Sequence, residues 1–400
     1  ESNVMTLLAV TIGRIIGFLS KTLRLGAGVT WAGEVGLMLD KNLIAHLIPK
    51  KSKVILVAGT NGKTTTAKLL ASILPGAVVN MSGANLINGI AGTLIQSPKA
   101  PYYIFEVDEN NLVEMLKQAM APGGVQHDNV TVVLLNLFRD QLDRYGEVDK
   151  IAKNWEKLQA KNFVINGDDP QLAWLGKNLK SRVSYFGLND KNLYLHKMQH
   201  ATDSIYCPNC GTRLDYLGFY FSHLGDYSCP NCDFKHPKNN KSIHKFEMEG
   251  VYNKYNILAA ELTAEVLGIE PNIKNFKPAF GRSEEIGSAK ILLSKNPAGF
   301  NESLRTVINS TRKGPLLLAL NDRIPDGKDI SWIWDVDFEI LKNFKFPIFV
   351  SGDRAFDLAL RLKYAEVPFT IGENLNVSWI LATYSAMLDI RKKLTGRKIL

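Results

Sequence analysis

Val57-Ala-Gly-Thr-Asn-Gly-Lys-Thr-Thr-Thr66 decides the reading of this chain, because it is built to hold a nucleotide triphosphate. The apolar run Val54–Ala58 reads as a buried strand, and a helix is expected from about Thr64. Between them Gly59 and Gly62 let the backbone fold tightly and turn its N–H groups toward phosphate oxygens. Lys63 is expected to reach the β- and γ-phosphates, and the Thr64 hydroxyl is placed to ligate Mg²⁺. Only two residues separate Gly59 from Gly62, so the loop departs from the general G-x-x-x-x-G-K-[ST] pattern. The bland alternative is an ordinary strand–turn–helix connection. The full run Gly-Thr-Asn-Gly-Lys-Thr-Thr is narrower than a glycine-rich turn and favours an ATP site.

Outward from this loop, apolar runs of β type alternate with helical patterns. Tyr102–Val107, Val130–Leu135 and Phe163–Ile165 read as further strands, and Thr64–Ile73, Leu112–Met120 and Lys150–Leu158 as helices. Strands separated by helices imply right-handed crossovers and a largely parallel sheet. The phosphate loop then sits at a strand's carboxyl end, where open α/β sheets bind ligands. From about His200 to His244 the pattern lapses into a polar, cysteine-bearing stretch. It resumes with a helix over Tyr255–Leu267 and a linker at Gly268-Ile-Glu-Pro271. A second α/β segment follows, with strands expected at Lys290–Leu293, Leu316–Leu320 and Pro347–Ser351 and helices at Asp353–Lys363 and Ser378–Leu394. The expected division is an N-terminal segment (1–45), a central domain (46–270) with an insert at about 201–244, and a C-terminal domain (271–400).

At 400 residues the chain exceeds one ordinary core. Its 46% hydrophobic and 22% charged content is that of a soluble globular protein. The net charge of +9 is spread along the chain. It suits an anionic substrate or an acidic membrane surface and argues little for nucleic acid. Val4–Leu19 is apolar but broken by Arg14, too short to span a bilayer, and without a small-residue cleavage site. An amphipathic helix packed on the body is the expectation there, with a membrane-facing role as the alternative. Export is not indicated, so the expected compartment is the cytoplasm.

The four cysteines form one pattern, Cys207-Pro-Asn-Cys210 and Cys229-Pro-Asn-Cys232, with eighteen residues between the pairs. Two such knuckles can converge four thiolates on one Zn²⁺, which is a zinc ribbon. Two disulfides or a redox pair are the competing readings; a cytoplasmic chain without other cysteines argues against disulfides, and a redox dithiol would need only one pair, on a thioredoxin-like helix start. Four thiolates leave no open position for water, so the metal's role is structural. His223, His236 and His244 are expected to be surface residues rather than ligands.

Past the phosphate loop, Glu106-Val-Asp-Glu109 closes a buried strand, where carboxylates are placed to hold Mg²⁺. Asn136-Leu-Phe-Arg-Asp-Gln-Leu-Asp-Arg-Tyr-Gly-Glu147 follows the next strand, Tyr252-Asn-Lys-Tyr-Asn-Ile-Leu-Ala-Ala260 opens a helix, and Phe280-Gly-Arg-Ser-Glu284 lies past the linker. In this order the chain resembles the Mur ligase family, which includes the peptidoglycan amino-acid ligases and folylpolyglutamate synthase. The four-cysteine insert, Lys295-Asn-Pro-Ala-Gly-Phe300, Ser331-Trp-Ile-Trp-Asp335 and Ser351-Gly-Asp-Arg354 narrow the resemblance to a branch that amidates instead of joining an amino acid. It covers about Leu25 to Leu394.

The resemblance implies a central parallel-sheet ATPase domain, a zinc ribbon inserted in it, and a Rossmann-like C-terminal α/β domain. It implies ATP-dependent amidation of the α-carboxylate of D-glutamate in the lipid II stem peptide, at the inner face of the membrane. By motif, Gly59, Thr60, Asn61, Gly62, Lys63, Thr64 and Thr65 cradle the phosphates, and Thr64 and Glu106 serve Mg²⁺. Asn256 meets the adenine, and Arg282 reaches the phosphates or ribose. Ammonia would come from a separate glutaminase subunit, since all four cysteines are assigned to metal. In this branch the glutaminase borrows an acidic residue from the ligase-like subunit. Asp335 is the first choice, ahead of Asp329, Asp326 and Asp322, with Ser331–Asp337 read as extended so that Trp332 and Trp334 share a face.

Three departures stand beside the resemblance. The Cys232–Gly250 connection is shorter than the family's usual one. Lys153 lies where typical Mur ligases carry a carboxylated lysine, but reads as solvent-exposed. Ser294-Lys-Asn-Pro297 replaces the Asp-Asp-Tyr-Ala-His element. The rivals are a Mur-type or folylpolyglutamate synthase-like ligase working without a glutaminase, and a nucleic-acid-binding ribbon. Between Tyr206 and His236 only Arg213 and Lys235 are basic, which disfavours the second.

Overall fold

The computed structural model describes residues 2–23, 28–80, 83–139, 148–200, 202–242, 248–273, 276 and 282–396. Its first sheet contains β1 (Lys53–Ala58), β2 (Val78–Val79), β3 (Tyr102–Glu106), β4 (Val130–Leu134), β5 (Asn162–Asn166) and β6 (Arg182–Phe186) in the order β2-β3-β1-β4-β5-β6. All of its pairings are parallel. From Val54 to Ala58 β1 is buried on both faces, which is why it reads as an unbroken apolar run. Packed around this sheet are α1 (Ser2–Thr22), α2 (Val29–Leu39), α3 (Leu43–Leu47), α4 (Lys63–Ile73), α5 (Ile87–Gln96), α6 (Leu112–Ala119), α7 (Val148–Trp155), α8 (Pro170–Asn178) and α9 (Val251–Val266). Two apolar cores lie on its opposite faces, one centred on Leu56, Phe105 and Trp155, the other on Ile55, Leu70 and Leu258. The antiparallel hairpin β7 (Asp215–Phe221) and β8 (Leu224–Ser228) carries the ribbon.

The second sheet holds β9 (Arg282–Ile286), β10 (Ala289–Leu293), β11 (Leu316–Ala319), β12 (Ile348–Ser351), β13 (Thr370–Ile371) and β14 (Trp379–Ala382), ordered β13-β12-β11-β14-β10-β9. It is parallel except for the antiparallel edge strand β9. Helices α10 (Pro297–Asn309), α11 (Ala355–Tyr364) and α12 (Tyr384–Thr395) pack on it.

The strands and helices expected around the phosphate loop are present with ends moved by up to three residues, the largest shift being the helix expected over Lys150–Leu158, which runs Val148–Trp155. Other expectations are corrected. The helix expected over Ser378–Leu394 is a strand followed by a helix: Trp379-Ile-Leu-Ala382 lies between β10 and β11, buried on both faces, and α12 begins at Tyr384. A short apolar run carries no period of its own, so its type is set by the sheet that accepts it. Ser331–Asp335 is a 3₁₀ turn, not extended, and it separates the two tryptophans: Trp332 meets Phe300, whereas Trp334 is exposed beside Tyr364. His223 is wholly buried, not on the surface, and His236 is largely covered. His244 lies outside the described residues. Lys153 is exposed on α7, as its sequence setting suggests.

Candidate active site

The phosphate loop leaves β1 between β3 and β4, so three strand ends converge on it. Gly59 and Gly62 have φ of +136° and +94°, a region open to glycine. A Cβ on Gly62 would stand 2.2 Å from Asn256 Oδ1. Asn136, two residues past the end of β4, clamps the loop: its Oδ1 accepts from Asn61 N (2.8 Å) and its Nδ2 donates to Asn61 O (3.0 Å). Thr60 N donates to Asn136 O at 3.0 Å, and the Thr60 hydroxyl accepts from Phe138 N at 3.0 Å. The rest of this motif past Arg139, residues 140–147, lies outside the described residues.

Lys63 and Thr64 open α4 on the loop's far side. Lys63 Nζ donates to Gly59 O (2.6 Å) and to Glu109 Oε1 (2.7 Å), with both side chains nearly buried. Thr64 Oγ1 donates to Glu106 Oε2 at 2.7 Å inside the protein. A buried hydroxyl against a carboxylate is a hard-oxygen donor set of the kind Mg²⁺ takes, and it adjoins a backbone cradle shaped for phosphate. The residues present therefore fit ATP with Mg²⁺. Thr65 lines the cleft described next, and Asn256 accepts weakly from Thr66 Oγ1 at 3.3 Å, bracing α4 from α9.

That cleft lies between the two sheets. Asn61, Asn136 and Asn256 border it on one side, Leu292, Gly299 and Glu302 on the other. Its lining, apolar with a few convergent polar groups, suits a nucleoside. It is closed at the loop by two side-chain amides: Asn61 Nδ2 donates to Asn296 Oδ1 (3.3 Å) and Asn296 Nδ2 to Asn61 Oδ1 (3.1 Å). Asn296 also caps α10 by accepting from Gly299 N at 2.8 Å. Burial pushes the Glu302 carboxyl up to about 7, against the pull of neighbouring Arg305. Arg282 starts β9, opposite Leu292, and the course of its side chain lies outside the description.

The four cysteine sulfurs lie within 4.8 Å of one another, with Cys207–Cys232 at 3.7 Å and Cys210–Cys229 at 3.5 Å. A tetrahedral site with Zn–S of about 2.3 Å has sulfurs about 3.8 Å apart, so the cage fits Zn²⁺. Burial pushes the Cys207 thiol up to about 12, whereas hydrogen bonds from Thr212 hold exposed Cys210 down to about 6. The ribbon is tied to the sheet through two adjacent aspartates that sequence reasoning missed. Asp169 accepts from Gln171 N (3.0 Å) and Leu172 N (3.2 Å), capping α8, from Leu137 N (2.9 Å), and faces His223 Nε2 at 3.3 Å. Asp168 meets His236 Nε2 at 2.8 Å, Tyr255 OH at 2.6 Å and Leu188 N at 2.8 Å. The signal was present in Gly167-Asp-Asp-Pro170, an N-cap followed by proline at the first helical position.

The acidic candidates of 322–337 separate by environment. Asp335 is partly exposed, with its nearest cation Arg139 NH2 at 3.4 Å. Exposed Asp329 accepts from Ser331 N at 2.8 Å, just ahead of the 3₁₀ turn. Asp326 is buried against Ser385, accepting from its N at 2.8 Å, and Asp322 lies 3.7 Å from Arg354. Around Asp335 the C-terminal domain shows an apolar face: Phe356 (77% exposed), Leu360 and Tyr364 (71%) at four-residue spacing on α11, with Trp334 against Tyr364.

A parallel sheet with a phosphate loop at its centre, closed by a second Rossmann-like sheet, defines an ATP-dependent ligase of the Mur type. The Mur ligase middle domain model matches residues 57–264, and the MurT ligase C-terminal model matches 293–387. A lipid II isoglutaminyl synthase (glutamine-hydrolyzing) subunit MurT from Staphylococcus aureus (strain COL) is 33% identical over 86% of this chain and 84% of its own. Its Streptococcus pneumoniae counterpart is 31% identical over 99% and 98%. Among solved structures, a pseudomurein peptide ligase type C from Methanothermus fervidus aligns with TM-score 0.65 at 22% identity, covering 87% of this chain and 80% of that one. MurF ligase from Thermotoga maritima in complex with ADP aligns at TM-score 0.56 and 13% identity, covering 92% and 82%. The chain belongs to the MurT family of Mur ligases.

Proposed function

We propose that this chain is the synthetase subunit of a lipid II isoglutaminyl synthase, converting the D-glutamate α-carboxylate of the stem peptide to its amide with ATP and ammonia. The observation that carries the reading is the pair Lys63–Glu109 and Thr64–Glu106, preformed under a cleft that the C-terminal domain closes. Relatives named for this activity, similar along most of the chain, support it.

The chemistry follows from the weakness of a carboxylate as electrophile. One carboxylate oxygen attacks the γ-phosphorus of ATP, ADP leaves, and the acyl phosphate gains a good leaving group. Ammonia attacks the acyl carbon, loses a proton, and phosphate departs with the C–O bonding pair. Lys63 and the backbone N–H groups of Gly59–Thr65 are the donors that stabilise charge on the transferring phosphoryl. Thr64 and Glu106 would hold Mg²⁺, whose chemistry there is to neutralise phosphate charge.

Ammonium is protonated near neutral pH, so a source of unprotonated ammonia is needed. The chain's four cysteines all lie in the ribbon, which leaves none for glutamine hydrolysis. The partner is a GatD-like glutaminase, seated on the apolar face of α11 with Asp335 completing its active site. Its site of action is the inner face of the membrane. Among the described residues no helix is long and apolar enough to cross a bilayer.

The test is incubation with lipid II, ATP, Mg²⁺ and either ammonium or glutamine, with and without the glutaminase, read by mass spectrometry for carboxylate-to-amide conversion. Ammonium should work without the partner, glutamine only with it, and Lys63→Ala should abolish both. Activity from the chain alone with a free amino acid, and none with ammonium, would favour the amino-acid ligase instead.

A further inference from the structure

Helix α1 is inside out. Its small residues Ala9, Gly13, Gly17 and Ser20 are buried, at helical spacing, against the body. The contact is close: a Cβ on Gly13 would stand 2.8 Å from Ile95 Cδ1 and 3.2 Å from Ala32 O. Its large apolar residues face outward instead: Val4, Leu7, Ile15, Phe18 and Leu19 are exposed, Leu7 and Phe18 by 69%. On α2, which packs against α1, Trp31 and Met38 are exposed seven residues apart, on one face of that helix. A contiguous apolar face of this kind is normally covered.

Charge selects the cover. Along α1 the sequence carries Arg14 and Lys21 and no carboxylate, α2 carries one, exposed Glu34, which accepts from Asn88 Nδ2 at 2.7 Å, and the protein as a whole is at +9. A helix with an exposed apolar stripe, flanking cations and no span-length apolar run is built to lie in a membrane interface. We infer that the α1–α2 face docks on the surface of an anionic phospholipid bilayer, with Phe18, Ile15 and Leu7 entering the acyl boundary. Docking would bring the cleft to a lipid-linked stem peptide. That purpose rests on the proposed function, but the binding does not.

The test is flotation of the purified chain with vesicles of phosphatidylcholine alone or of equal parts phosphatidylcholine and phosphatidylglycerol, none containing lipid II. The chain should float with the anionic vesicles, less at high salt, and little with the neutral ones. Ile15→Glu/Phe18→Glu, both exposed sites, should lower the bound fraction about tenfold or more while melting temperature and ATP affinity stay unchanged. Leu7→Ser/Leu19→Ser provides a second variant with the same expectation should the first melt early. A chain that stays unbound with both vesicle types, or variants that float like the parent, would overturn the inference. So would an α1-dependent dimer in lipid-free light scattering, which would make a second copy the cover. Failure of the amidation assay in detergent would leave the flotation result standing, so the two readings can fail separately.

Discussion

Asp169→Asn tests whether the ribbon and the phosphate loop are one mechanical unit. In the parent one carboxylate oxygen caps α8 through Gln171 N and Leu172 N, and the other takes Leu137 N at 2.9 Å and faces His223. An amide has only one acceptor oxygen. If it keeps the cap, its NH₂ group points at the Leu137 N–H, and a buried backbone donor loses its partner. That costs about 1–3 kcal/mol, and the lost charge assistance at the cap adds about 1 more. Total destabilisation of about 2–4 kcal/mol should lower the melting temperature by several degrees. The local effect matters more: Leu137 follows Asn136, whose side chain holds both the N–H and the carbonyl of Asn61. Nucleotide affinity, measured by calorimetry with a non-hydrolysable ATP analogue and Mg²⁺, should fall about tenfold, equivalent to about 1.4 kcal/mol. Lys177→Ala, which removes an exposed pair with Asp233, is the control and should change neither quantity. An Asp169→Asn protein with parental affinity would refute the coupling, whatever its melting temperature.

Three further outcomes follow from the site. Gly62→Ala puts a side chain at φ +94° and against Asn256 Oδ1, costing about 1–2 kcal/mol in backbone strain alone; nucleotide titration should show weakened binding with the fold retained by circular dichroism. Glu302 has its proton affinity raised by burial from 4.5 to about 7, so the folded form holds a proton that the unfolded chain releases. Its contribution to stability is therefore fully present below the ordinary glutamate range and is lost as pH rises through about 7, and Glu302→Gln should remove that component of the pH dependence in denaturant titrations across the interval. Asp335→Asn should leave ammonium-driven amidation intact and cut glutamine-driven amidation at least about tenfold in the complex; loss of both would remove Asp335 from the glutaminase site.

The central sheet was legible because its strands are buried on both faces and alternate with periodic helices, so pattern and propensity agree. The phosphate loop and the cysteine cage were legible because their chemistry depends on spacing along the chain. What was not legible depends on contacts far apart in sequence. Nothing local marks Glu109 as the partner of Lys63, or Asn296 as the residue that meets Asn61 across 235 positions. His223 looks polar, yet Phe138 and Asp169 bury it, a choice made by the packing of the ribbon. Strand β14 was lost to helix because four apolar residues fit either period.

The reciprocal amides of Asn61 and Asn296 bear on how fast the enzyme can turn over. They join the loop to the C-terminal domain with two neutral hydrogen bonds, each contributing only about 1 kcal/mol net. Such a latch biases the jaws shut without locking them, so product can leave by ordinary thermal breathing.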